Sequence, residues 1–156
     1  MRFSFRLQSL LNWKESLEEE SRMKLAGKNR QLRRQEEEIQ ELAGQREEND
    51  RGLRKRMGKG LLAREYLIHK EFNEESYQDL VQKELNKKQT EQEVKEERER
   101  LTGLMKERKI LERLKEKRFK TFLNELGKLE QKDLDEVAIG AYCKGIRFAG
   151  NSEGDS

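Results

Sequence analysis

Proline is absent from all 156 residues of this chain. A proline in a helix interior costs about 3 kcal/mol, so its absence removes the commonest built-in stop. A helix here can run as far as its apolar pattern allows. Cysteine occurs once, at Cys143, which excludes an intrachain disulfide and offers nothing toward a thiolate zinc site or an extracellular scaffold. Histidine also occurs once, at His69; histidine-based catalysis would rest on that side chain alone, with no nucleophile placed to use it. Only 32% of the residues are hydrophobic, too few for a compact core but enough for a coiled-coil seam, which needs about two positions in seven. Long apolar runs are missing too. Arg6, Gln8, Asn12 and Lys14 break up the N-terminal apolar residues before a signal segment or membrane span can form, so a cytoplasmic chain without direct membrane insertion is expected.

What is present is charge and periodicity. Asp, Glu, Lys and Arg make up 43% of the chain, with a net charge of +3, and acids and bases alternate in the manner of a solvated helix surface supported by i,i+4 pairs. Sustained helical spacing of leucines separates this pattern from that of a disordered polyampholyte. Leu7, Leu10, Leu11, Leu17, Leu25, Leu32, Ile39, Leu42 and Leu53 mark a first arm, starting at Ser4 or Phe5 with Ser4 as N-cap. Gln35, Arg46 and Asn49 intrude on its seam. A second arm runs from Leu61 or Leu62 to Val137 or Ala138 through Leu67, Phe72, Leu80, Leu85, Val94, Leu101, Leu104, Leu111, Leu114, Phe119, Phe122, Leu126, Leu129 and Leu134. Between Lys87 and Arg100 almost every residue except Val94 is charged, so docking there must rest on sparse contacts. Met57-Gly58-Lys59-Gly60 separates the arms, because glycine takes the positive φ that a helix reversal demands; Gly52 is a rival end for the first arm.

The fold class expected is therefore all-α: an antiparallel two-helix coiled-coil hairpin over 4–138, with a first helix at about 4–57, a turn at about 58–60 and a longer second helix at about 61–138. Residues 139–156, with Gly140, Gly145, Gly150 and Gly154, read as a flexible tail. The arms differ in length, at about 80 Å against about 115 Å of helix. Folding about Lys59 sets Leu42 across from Ser76, Leu17 from Leu101 and Leu7 from Leu111. The end of the second arm then overhangs, and its stripe of Phe119, Phe122, Leu126, Leu129 and Leu134 has no expected partner within the monomer.

No active site, metal site or cofactor is expected. Gly58-Lys59-Gly60 lacks the strand and spacing of a phosphate loop, and the many carboxylate clusters have nothing to desolvate them. One basic stretch stands out. From Lys106 to Lys120 there are eight bases against three acids, set beside Leu111, Leu114, Phe119 and Phe122. That pattern suits either a solvated helix face or a binding end that steers toward an acidic surface and buries apolar side chains there. Nucleic acid fits less well, since aromatic interleaving is slight and overall charge is near balance. A generic coiled-coil scaffold that dimerises through the overhang is the other alternative.

Glu107 to Arg118 (ERKILERLKEKR), followed by Glu130 to Ala138 (EQKDLDEVA), closely resembles the C-terminal signature of the flagellar export protein FliJ family. Phe3 to Leu11 (FSFRLQSLL) and the Met57-Gly58-Lys59-Gly60 turn resemble the same family in the same order. The resemblance implies a non-enzymatic, cytoplasmic component of the flagellar type III export apparatus, peripheral to the inner face of the cell membrane. It also implies a stalk-like hairpin that enters the hexameric export ATPase, contacts the export gate protein FlhA and binds export chaperones. For the ATPase contact we expect Arg108, Leu111, Arg113, Leu114, Lys117, Phe119, Phe122 and Leu126. For the gate contact the resemblance points to Leu42 and Phe72, with Gln45, Asn49, Ser76 and Asp79 polar where the family can be aromatic or apolar.

Overall fold

The computed structural model of the chain describes residues 1–151. Two helices, α1 (Gln8–Lys59) and α2 (Ala63–Asn151), pack against each other as an all-α hairpin, with no strand among the described residues. A single glycine makes the reversal. Gly60, directly after the last residue of α1, has φ of 88°, the left-handed conformation that ends a helix and that a side chain would strain. Gly58 is helical, and α1 passes through Gly52 without a break.

Both outer ends differ from the sequence expectation. α1 starts at Gln8, not at Ser4 or Phe5: the Phe5 carbonyl accepts the Gln8 N–H at 3.0 Å and the Leu7 carbonyl accepts the Leu11 N–H at 2.9 Å. Ser4 therefore does not cap it, because Phe3 engages in aromatic contacts that an earlier helix start would have to accommodate. At the other end α2 continues through Asn151, past Val137 and Ala138. Each glycine there costs about 1 kcal/mol, but without proline none of them forces a stop, and Ala138, Ala141, Lys144 and Ala149 favour helix. Residues 152–156 of the expected tail lie outside the described residues.

Contacts divide the chain into two compact units, Lys14–Lys106 and Met1–Trp13 together with the stretch from Glu107 onward. The Lys14–Lys106 unit has a seam that is largely polar. Glu18, Ser21, Ser76 and Thr90 are buried, beside only Val94 and Leu104 among its apolar residues, while Leu25, Leu32, Ile39, Arg46 and Leu53 are half-buried along the heptad line. Side-chain hydrogen bonds and ion pairs cross between the arms. Ser21 donates to Glu97 at 2.6 Å, Lys28 pairs with Glu93, Lys83 with Glu38 at 3.3 Å, Arg46 donates to Asn73 at 3.1 Å, and His69 Nδ1 donates to Asn49 at 2.8 Å. The midpoint of every pair falls at or within about a residue of Lys59 or Gly60, so the register expected from the turn holds along this unit.

Small polar seam residues satisfy themselves within α2. Thr90 Oγ1 donates to the Asn86 carbonyl at 3.1 Å and Ser76 Oγ to that of Asn73 at 3.2 Å, leaving no buried hydroxyl in need of a partner on α1. The buried Glu18 is paired with Arg22 of its own helix; outside the seam, Lys24–Glu20 and Arg51–Glu47 are i,i+4 pairs of the kind that contributes a few tenths of a kcal/mol each. The Lys24 hydrogen bond and charge hold the Glu20 carboxyl below the usual carboxylate range.

Candidate functional site

The basic stretch and the aromatic stripe fall in the unit built from Met1–Trp13 and the chain from Glu107 onward. Here the sequence expectation of a partnerless stripe is corrected. Phe3 packs on both aromatic rings of α2, with its centroid 5.1 Å from Phe119 at 72° and 5.6 Å from Phe122 at 52°, while Phe119 and Phe122 stack at 6.5 Å and 23°. Edge-to-face pairs of this geometry are each worth about 0.5–1.5 kcal/mol beyond the area they bury. The cause is positional: the lead before α1 turns aside at residue 5, and the hairpin register already carries its first residues to the level of Lys115 and beyond. Two phenylalanines within residues 3–5 were the available signal.

Around this aromatic cluster the expected ATPase-binding residues separate into two groups. Arg108, Leu111, Leu114, Phe122 and Leu126 are half-buried, and the Arg108 guanidinium is tied to Glu112 at 2.7 Å. Arg113, Lys117 and Phe119 are exposed. Leu114, Arg118, Phe122 and Glu125 face the N-terminal lead across an open cavity of about 700 Å³, which also takes in Phe3 and Phe5. This end thus combines an aromatic floor, aliphatic walls and outward-facing bases, and Arg2 and Arg6 from the lead line the cavity as well.

Beyond Leu126 the surroundings change. Every residue of α2 from Gly127 to Ala149 is exposed, including Leu134, Val137, Ile139, Tyr142, Ile146 and Phe148, each more than half accessible. The apolar stripe without an intramolecular partner therefore exists, but it begins about two helical turns later than expected and extends through the glycine-containing segment. Leu129, at 41% exposed, marks the transition.

The two expected gate residues belong to the Lys14–Lys106 unit. Leu42 is half-buried on the α1 seam, and Phe72 is 37% exposed on α2. Phe72 lines a shallow depression with Gln45, Asn49, Gly52, Arg56 and His69; Leu42 is not part of that lining. One turn away, the Arg46 guanidinium lies 5.3 Å from the Tyr77 ring centroid, a cation–π contact that sequence inspection did not single out. No group of three or more His, Cys, Asp or Glu residues that could hold a metal ion occurs among the described residues. No helix of the described residues is long and apolar enough to cross a membrane.

No curated protein and no solved structure gives a significant match to this chain. The family model described as Flagellar FliJ protein matches residues 3–146, which takes in the aromatic lead, the turn glycine, the basic stretch and most of the exposed end of α2. The chain belongs to the FliJ family of flagellar export components.

Proposed function

We propose that this protein is a non-enzymatic stalk that inserts the aromatic, basic end of α2 into the hexameric flagellar export ATPase and favours its assembled state. In the same reading it links the ATPase to the export gate FlhA through Leu42 and Phe72 and meets export chaperones, acting in the cytoplasm at the flagellar base. What supports it most is the end of α2, where an entire helical stretch from Gly127 to Ala149 stays exposed with seven large apolar side chains. A monomer that keeps this much apolar helix uncovered has a surface waiting for a partner. The adjoining bases Arg113 and Lys117 point into solvent, where they can steer an acidic surface toward it.

A protein without catalytic groups can raise the partner's turnover only by binding the assembled ring better than the free subunits. Stimulation should therefore be strongest at low ATPase concentration and fade as the enzyme assembles unaided. The experiment is ATP hydrolysis against enzyme concentration, with and without the full chain. A stimulation independent of enzyme concentration, or none at any concentration, contradicts the proposal.

A further inference from the structure

The hairpin turn carries charge of one sign only. From Arg51 to Arg64 there are six bases, Arg51, Arg54, Lys55, Arg56, Lys59 and Arg64, and no acid. All six are exposed. Arg51 pairs with Glu47 at 3.4 Å, whereas the other five make no ion pair among the described residues. Arg56 and Lys59 occupy the last turn of α1, where a base offsets the negative end of the helix dipole; that accounts for two of the five.

The same turn exposes apolar side chains out of proportion to its size. Met57, Leu62, Tyr66, Leu67 and Ile68 are 56%, 71%, 43%, 61% and 60% accessible, and Met57, Leu61, Ala63 and Tyr66 form a shallow groove at the very tip. Isolated exposed leucines need no explanation, but here five large exposed apolar residues fall between Met57 and Ile68, beside the bases of the turn, and two of them, Met57 and Tyr66, line one groove.

We propose that this tip adsorbs to an anionic lipid surface, its bases among the headgroups and its apolar side chains at the acyl boundary. Charge complementarity favours this occupant. At 100° per residue the α1 bases spread over more than half the helix circumference, and Arg64 adds another from α2. A protein partner would need carboxylates wrapped around the tip to match them, while a bilayer offers diffuse negative charge on all sides. Nucleic acid also supplies phosphates but gives Leu62, Leu67 and Ile68 nothing to bury against, whereas a lipid interface accepts both kinds of side chain. The stalk proposal is not needed for this inference, which concerns residues of the Lys14–Lys106 unit.

The test is co-sedimentation of the full chain with vesicles of phosphatidylglycerol in phosphatidylcholine, against phosphatidylcholine alone. Binding is expected only to the anionic vesicles and should weaken as salt rises. Arg54→Gln with Lys55→Gln, at exposed positions that glutamine suits, should lower partitioning about 30-fold, at about fivefold per base. Leu62→Ser should lower it several-fold at every salt concentration. Arg113→Gln with Lys117→Gln should change it less than about twofold. Helicity by circular dichroism checks that each variant folds. No binding to anionic vesicles, equal binding to neutral ones, retention on duplex DNA in place of vesicles, or an equal loss in the Arg113/Lys117 pair would each overturn the proposal.

Discussion

The two units of this hairpin use different chemistry to hold the same pair of helices. Between Lys14 and Lys106 the arms are joined by polar links at sparse intervals, with Val94 and Leu104 as the buried apolar residues of the seam. In the unit that contains the N-terminus, three phenylalanine rings lie in contact beside the buried Leu11 and the half-buried Leu111, Leu114 and Leu126, and α2 is bare from Gly127 to Ala149. Polar links are poor sources of net stability but good markers of register, because a slip leaves a buried donor or acceptor without its partner. Aromatic contacts bury far more apolar area per side chain. The Lys14–Lys106 unit is thus aligned by its polar links, and the terminal unit is held by aromatic burial.

The largest expected effect tests the sparse seam. Leu104→Ala removes one of two buried apolar side chains of the Lys14–Lys106 unit and should cost about 2–4 kcal/mol, seen as a clear fall in the midpoint of thermal or urea unfolding by circular dichroism. A loss below about 1 kcal/mol would mean that the polar links, not the buried leucine, carry this unit. Phe3→Ala should do less and act locally. It deletes two ring contacts at about 0.5–1.5 kcal/mol each, so amide exchange should speed up for residues 1–7 and around Phe119 while the global midpoint moves little. A shift as large as that of Leu104→Ala would show that the lead is part of the cooperative structure and would erase the contrast between the units.

Much of this contrast was legible in the sequence. The absent proline and the leucine spacing predict two long helices, and Lys59 and Gly60 predict the register that the Ser21–Glu97 and His69–Asn49 bonds display. Two things were hidden. Phe3 belongs to a non-helical lead, and periodicity says nothing about where such a segment folds back, so the Phe119–Phe122 pair looked uncovered. The glycines at 140 and 145 resemble punctuation, yet a helix with no proline ahead can absorb about 1 kcal/mol at each. The basic tip escaped notice for a different reason. Charge there is concentrated by the turn, which Arg54 and Arg64 flank although neither stands out in a chain with 35 bases. Of the candidate residues, Phe119 and Arg113 follow from pattern alone as expectations, whereas Leu42 and Phe72 come only from family resemblance.

The central claim is that the aromatic and basic side chains of the terminal unit dock on the export ATPase in separable ways, and binding kinetics of the full chain to the purified ATPase test it most directly. Phe119→Ala with Phe122→Ala should speed dissociation at every salt concentration, because the burial lost is not screened. Arg113→Glu with Lys117→Glu should instead slow association, most at low salt, where steering acts over the longest range. Wild-type association and dissociation rates in both double variants, across the salt series, would contradict the account.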